Sequence, residues 1–380
     1  MHEDNSFPSL DAIYAELDRV VECHKDSLSD EVLGVSDEGR AVRAIHCTDR
    51  KADPEQQQVA MVVCGRHGSE LGTRVVGSAV LGWLMSEAGA RTRRNQRVIV
   101  VPVANPDGCA RGEFHAPARH LSEVEQKTLA ALADRVQPDA IIDVHSFGAG
   151  NADVQAIVTG NTGTDGEDEM IYHAVAQRLI EGAAEAGFPF VVHTTKRNEG
   201  YNNFIAGLCH QRFHTLAFGM EVNHHALTPA EAAASGTAVI GALLEAGNGR
   251  PWWEAQTGYP VNILAGDLFT SIRPTGHTAA ERRVSRVAIW RDRRFFSLGQ
   301  RETPTPTTLR VPFTYTGYRD DAPRHAFALC CRIRGVGKRI KARLNGQTVE
   351  ATTFADACST YVSVDVHPSG KTDYEFVLTY

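Results

Sequence analysis

The chain lacks any C-x-x-C pair. Its eight cysteines, Cys23, Cys47, Cys64, Cys109, Cys209, Cys330, Cys331 and Cys358, are scattered, and several lie in apolar runs. Neither a disulfide frame nor a thiolate zinc site is implied, and the expectation is reduced thiols in a cytoplasmic protein. No apolar run reaches membrane-spanning length. The opening MHEDNSFPSL has no basic n-region and no apolar h-region, so no secretory signal is expected. There is no internal repeat and no low-complexity tract. Basic residues are outnumbered 39 to 46, for a formal net charge of −7. That mild acidity argues against a nucleic-acid partner, which would call for clustered basic surface.

What is present is enough for a large core. The chain has 380 residues, 42% of them hydrophobic, a size that suggests two domains. The stretch on which the rest turns is Met61–Leu71, M-V-V-C-G-R-H-G-S-E-L. The apolar run Val59–Cys64 reads as a buried strand stopped by Gly65, and Val75, Val76, Ala79, Val80 and Leu84 recur at helical spacing after Leu71. An imidazole, His67, and a carboxylate, Glu70, therefore fall in the turn between a strand and a helix. In open α/β sheets ligands bind just there, past the carboxyl end of a strand.

Before this turn, Ser9 is placed to cap a helix with Leu10, Ile13, Leu17, Val20 and Val21 on one face, and Glu31–His46 reads as a hairpin. After it, a basic link (R-T-R-R-N-Q) leads to a second buried strand, Arg97–Asn105, ending in the turn signal Asn105-Pro106-Asp107-Gly108. Ser122 and Glu125 form a capping box for the next helix. Ala140–Ser146 is a third strand, on which Asp143 and His145 share a face. Val154–Thr159, Phe190–Thr194 and Leu216–Val222 read as further strands. Glu167–Ala186 and a run from Thr228-Pro229-Ala230-Glu231 to about Leu244 read as helices. Alternating strands and helices predict an α/β fold, a mixed and mostly parallel sheet flanked by helices, over residues 1–250. Residues 251–380 change pattern. A link, Pro251–His277, precedes runs alternating at period two: Arg286–Trp290, Thr308–Thr316, Phe327–Ile333, Ile340–Leu344, Tyr361–Val366 and Glu375–Leu378. These predict a small all-β sandwich from about Ala255 to Tyr380.

Histidine nitrogen and carboxylate oxygen are zinc donors, and catalytic zinc takes three protein ligands and keeps an open position. His67, Glu70 and His145 can supply such a set for one ion. Glu221, in the apolar run L-A-F-G-M-E-V, is costly to ionise there and needs a partner or a task. It serves either as a base or as half of a strand-end ion pair. Asp143 either orients a ligand imidazole or pairs with Arg119. Asn105 and Asp107 are expected to hold their turn, with Asp107 in reach of a ligand histidine. Ser146 reads as a turn hydroxyl, and His224 and His225 either line the pocket or are solvated, with the second favoured. Arg283, Arg286, Arg291, Arg293 and Arg294 form a basic cluster, read as a solvated face of the β domain.

H-G-S-E after one buried strand, N-P-D-G after the next, D-V-H-S ending a third and M-E-V on a later one resemble, in order and context, the zinc metallocarboxypeptidase family (carboxypeptidase A-like and succinylglutamate desuccinylase-like). The match covers about Glu31–Leu244. The resemblance implies a mixed eight-stranded sheet between helices, zinc on His67, Glu70 and His145, Glu221 as general base, and hydrolysis of a peptide or amide bond. It also implies an arginine that polarises the scissile carbonyl, with Arg111 and Arg119 as candidates and Arg119 favoured, and a mobile tyrosine for which Tyr201 stands. Some members carry a small C-terminal β domain. The chain departs from the family in one respect: no Asn-Arg dipeptide, the pair that receives a free C-terminal carboxylate, occurs between Gly108 and His145. The substrate expected is a small peptide or an N-acyl amino-acid-like metabolite. The alternatives are a deacylase or esterase of the same superfamily that does not read a C-terminal carboxylate, and an inactive binding protein.

Overall fold

The computed structural model describes residues 7–113, 123–146, 155–159, 166–194 and 205–249, and then 269–273, 275–292, 296–300, 302–316, 326–335, 339–355, 359–368, 370 and 373–380. The chain divides into two compact units, Met1–Thr257 and Gly258–Tyr380.

The first unit opens with α1 (Leu10–Cys23), whose N-cap Ser9 accepts from the Ala12 amide and whose buried face is Leu10, Ile13, Leu17 and Val20. β1 (Leu28–Val35) and β2 (Ala41–Cys47) form the expected antiparallel hairpin. β3 (Gln58–Val63) leads into α2 (Thr73–Met85). α3 (Ala90–Asn95), β4 (Gln96–Val101), α4 (Pro106–Arg111), α5 (Glu123–Val136) and β5 (Ala140–Ser146) follow. β6 (Gln155–Thr159), α6 (Gly166–Glu185), β7 (Phe190–Thr194), α7 (Ile205–Phe213), β8 (Leu216–Val222) and α8 (Pro229–Gly249) complete the unit.

The eight strands form one mixed sheet in the order β1-β2-β4-β3-β5-β8-β6-β7. β3, β5 and β8 run parallel at its centre. Every residue of β3 and β5 is buried, as expected of strands covered on both faces. Ala60, Val62, Ile142, Val144, Phe218 and Met220 join one core with the apolar faces of α1, α2, α6 and α8. The alternate residues, among them Met61, Val63, Ile99 and Ile141, are also buried; α7 packs on β5 and β8, and on α5 in turn. After β3 the chain crosses to β4 on one side. It then returns past β3 to β5 on the other. The carboxyl end of β3 is therefore a switch point, where neighbouring connections leave in opposite directions and open a crevice.

Two segments of this unit differ from their sequence reading. The basic link holds a short helix, α3, whose one buried residue is Thr92; it carries no apolar periodicity by which to see it. The Asn105–Gly108 turn continues into α4. Asn105 caps it by accepting from the Gly108 amide, Pro106 stands at its start and Gly112 ends it at φ +69°. Asn at N-cap and Pro at N1 are helix-start signals as much as turn signals. Ser122 and Val154 lie outside the described residues.

The second unit contains two antiparallel sheets. β9 (Phe269–Arg273) and α9 (Ala279–Asp292) come first, then β10 (Phe296–Leu298), β11 (Glu302–Thr305), β12 (Thr308–Tyr315), β13 (Phe327–Arg334) and β14 (Lys341–Leu344). β15 (Gln347–Val349), β16 (Thr352–Ala355), β17 (Ser359–Val366) and β18 (Asp373–Thr379) end the chain. One sheet runs β10-β12-β18-β14-β15, with β11 also on β12; the other runs β16-β17-β13-β9. Leu309, Val311, Phe313 and Tyr315 of β12 meet Phe327, Leu329 and Ile333 of β13 and Val362, Val364 and Val366 of β17 in one sandwich core.

The run Arg286–Trp290 is not a strand. It lies within α9, opened by a capping box in which the Glu281 amide donates to Thr278 Oγ1 and the Thr278 amide to Glu281 Oε2. Ala279, Ser285, Arg286 and Ala288 are buried, a helical interval that the short alternation R-V-A-I-W conceals. The basic cluster is therefore not an exposed β face. Arg283 and Arg286 are on the helix, with Arg286 only 4% exposed, and Arg293 and Arg294 lie outside the described residues. The Pro251–His277 link also contains β9, which pairs with β13.

Candidate metal centre

Beyond Val63 the backbone of β3 keeps its pairing with the segment after β4. Ala104 donates to Cys64 O at 2.8 Å and Asn105 to Gly65 O at 2.9 Å. Gly65, at φ +66°, takes the left-handed conformation that a side chain disfavours. The turn that follows lies on α4. A Cβ on Gly68 would sit 1.9 Å from the carbonyl oxygen of Gly108. Arg74, from α2, clamps both segments by donating to Gly68 O at 2.8 Å and Cys109 O at 3.0 Å. Asn105 Nδ2 donates to Arg66 O. The first and second motifs are thus locked together by main-chain pairing and by the Arg74 and Asn105 side chains.

This framework brings His67, Glu70 and His145 together, with one potential ligand atom from each within 4.8 Å of the others. His67 Nδ1 is 2.7 Å from Glu70 Oε1, and His145 Nδ1 is 3.2 Å from Glu70 Oε2. One carboxylate thus faces two ring nitrogens. The rings lie 4.9 Å apart between centroids. The Ser146 amide donates to Glu70 Oε2 at 3.1 Å, which fixes that oxygen. Two imidazoles and a carboxylate on one point form a donor set that suits zinc.

The charges say the same. Burial opposes ionisation of Glu70, yet the two imidazoles hold its carboxyl down at about 2. Burial also opposes a charge on His145, but Asp143 and Glu70 overcome it and keep the ring protonated well above the usual imidazole range. In the metal-free chain a proton thus supplies positive charge where the carboxylates demand it, and a bound cation competes for the same place.

Glu221 is in register with His145 across β5 and β8, so both lie on the same face of the sheet, with Asp143 two residues back on that face. Burial raises the Glu221 carboxyl to about 7; His145 pulls against this, and Glu70 and Asp143 add to it. A carboxyl poised near neutrality beside a metal-type cluster has the ionisation a general base or acid needs.

Arg111 ion-pairs with Glu38 and Glu113 and is not bonded to the cluster. Arg119 and Tyr201 lie outside the described residues. Asp107 does not reach a ligand histidine. It accepts from Ser36 Oγ at 2.7 Å, the Glu38 amide at 3.0 Å and Arg40 Nη1 at 2.6 Å, which ties α4 to the β1–β2 hairpin. Among described partners Asp143 is held by Arg66, whose Nη1 donates to Oδ2 at 2.5 Å, and the same oxygen is 3.3 Å from His145 Nε2. His224 is buried, not solvated, and its Nδ1 meets Ser146 Oγ at 2.5 Å; Ser146 Oγ also donates to Val222 O. Sequence reasoning missed Arg66 and Arg74. The adjacency of Arg66 to His67 was a signal for the first; nothing local marks the second. A groove of about 450 Å³ between α2, α6 and α8, lined by Ala79, Trp83, Gly182 and Thr237 among others, contains none of the cluster residues. Among the described residues no helix is long and apolar enough to cross a membrane.

Known proteins point the same way. The family model described as zinc carboxypeptidase matches residues 13–119, which include His67, Glu70 and the N-P-D-G motif. A zinc carboxypeptidase of Simulium vittatum is 31% identical over 105 residues, 27% of this chain and 33% of that protein; the match thus spans about a third of this relative's length. Among solved structures, a metallo-carboxypeptidase from Burkholderia cenocepacia aligns with TM-score 0.52 at 16% identity, over 62% of this chain and 68% of its own. Carboxypeptidase A from Helicoverpa armigera aligns at 0.51 and 14%, over 64% and 73%. At such identities the likeness is one of fold. The chain is thus similar to the zinc carboxypeptidases in sequence over residues 13–119 and in fold over some three-fifths of its length.

Proposed function

We propose that this chain is a zinc-dependent hydrolase that cleaves the peptide or amide bond of a small peptide or an N-acylated metabolite. His67, Glu70 and His145 would hold one ion, and Glu221 would act as general base. The observation that carries the reading is the pair of imidazole Nδ1 atoms facing the two oxygens of Glu70, with Glu221 in register beside His145. When bound, zinc supplies Lewis acidity, polarising a carbonyl oxygen and easing deprotonation of water. Glu221 accepts a proton from water as the oxygen bonds to the carbonyl carbon. It then returns that proton to the nitrogen as the C–N bond breaks, so the base of the first step is the acid of the second. Arg119 is the candidate for holding the carbonyl oxygen, because Arg111 is engaged by Glu38 and Glu113. Tyr201 is the candidate for closing over substrate. The free thiols of the described cysteines support a cytoplasmic setting.

The deacylase or esterase reading is favoured by the missing Asn-Arg pair and by the engagement of Arg40, Arg66 and Arg111 with carboxylates of the chain itself. Assay of a free-carboxylate dipeptide, its amidated form and an N-acyl amino acid separates the readings, since carboxypeptidase action is lost on amidation. Glu221→Gln should retain about one zinc per chain and lose 100-fold or more in turnover. His67→Ala and His145→Ala should each lose the metal. Full turnover in Glu221→Gln, or unchanged zinc content in both alanine variants, would remove the proposal.

A further inference from the structure

The ion pair of Arg66 and Asp143 has no role in the hydrolysis steps proposed above. Both residues are buried, Arg66 at 5% exposure and Asp143 at 2%. Arg66 follows the left-handed Gly65 at the end of β3. Asp143 sits opposite Val63 on β5, two residues from His145 and on the same face. Its Oδ2 takes two contacts, Arg66 Nη1 at 2.5 Å and His145 Nε2 at 3.3 Å. Its buried Oδ1 has no hydrogen-bond partner among the described residues.

A neutral imidazole carries one proton, and the partner of one nitrogen decides where it sits. With the proton on Nε2, His145 donates to Asp143 and turns a lone pair at Nδ1 toward Glu70 Oε2, 3.2 Å away. With the proton on Nδ1, a lone pair would face the Asp143 carboxylate, and the nitrogen nearest Glu70 would be closed to a metal. Arg66 has two consequences for this choice. It balances the Asp143 charge where water does not reach, and it fixes Oδ2 against Arg66 and His145, away from Glu70. We propose that Arg66 and Asp143 are positioning residues that hold His145 in its Nε2–H tautomer and so set the affinity of the His67, Glu70 and His145 cluster for its metal. This rests on the reading of that cluster as a metal site.

The test uses the full chain, stripped with a chelator and titrated with zinc against a chromophoric competitor. Asp143→Asn, Arg66→Met and Arg66→Lys are compared with wild type, with circular dichroism of each metal-free variant as the check on folding. Asp143→Asn and Arg66→Met should bind zinc 10- to 100-fold more weakly, and Arg66→Lys should recover part of the loss. Imidazole nitrogen NMR of the zinc-loaded wild type should place the His145 proton on Nε2 and the metal on Nδ1. Wild-type zinc affinity in folded Asp143→Asn and Arg66→Met would overturn the positioning role and leave the metal site standing. A zinc-loaded wild type with the proton on Nδ1 would overturn it even if the variants failed to fold. Failure of wild type to bind zinc would overturn the site reading, and this inference with it.

Discussion

At Glu221 the same burial that suits a base also costs stability. The carboxyl has an ordinary value of 4.5 and is raised to about 7 in the folded chain. Between those values the native state binds more protons than the unfolded one. The stabilisation is therefore complete below about pH 4.5 and is lost as pH rises through 7. Glutamine cannot lose a proton, so Glu221→Gln should escape this loss. In metal-free protein at pH 8 the variant should be more stable than wild type by up to about 3 kcal/mol, less for the residue's partial exposure, and the two should converge near pH 4. Urea titrations at both pH values check this; equal stability at pH 8 would mean that Glu221 is not held protonated by its surroundings. The carboxylate was legible in the sequence because it interrupts an apolar strand, and the two histidines and Glu70 because each stands at a strand end. Their partners were not. That Asp143 pairs with Arg66, and that Asp107 reaches the hairpin and not a histidine, depends on contacts between residues 67 to 77 positions apart, which no local pattern encodes.

Among the elements, the site is shaped by how tightly the H-G-S-E turn lies on α4. Gly68 leaves no room for a methyl group against the Gly108 carbonyl. Gly68→Ala should force the two segments apart, destabilise the fold by about 3 kcal/mol and weaken zinc binding at least tenfold. Gly82, exposed in α2 with no atom within 4 Å of where a Cβ would stand, is the matched control. Gly82→Ala should be neutral or stabilising by up to about 1 kcal/mol, with unchanged metal affinity. Asp107, beside Gly108 in the first turn of α4, fastens that helix to the hairpin through Ser36, Glu38 and Arg40. Asp107→Ala should cost about 2 kcal/mol in a thermal melt and leave His67, Glu70 and His145 intact, so zinc should still bind. Strand and helix positions in the first unit were readable because long apolar runs and caps agree there. α9 was misread because the five alternating residues Arg286–Trp290 conceal the helical interval of Ala279, Ser285, Arg286 and Ala288. α3 offered no apolar period to read.

For the whole molecule, the division into two units decides what metal can stabilise. His67, Glu70, His145 and Glu221 all belong to Met1–Thr257, and Gly258–Tyr380 has a core of its own in Leu309, Phe313, Phe327, Val364 and Phe376. The sandwich was legible from its period-two runs, but β9, β10, β11, β15 and β16 were too short or too polar to stand out. A ligand that binds only the folded state stabilises the unit that holds it by RT ln(1 + [L]/Kd), about 2.7 kcal/mol at a hundredfold excess over Kd. Chains of more than one domain need not unfold in a single step. Calorimetry of the full chain should therefore resolve two transitions, of which zinc raises one by several degrees and leaves the other in place. In His145→Ala neither should move. A single transition in wild type would mean that the units unfold as one, a zinc-dependent shift of both would mean that they are coupled, and a shift in His145→Ala would mean that the metal is held elsewhere.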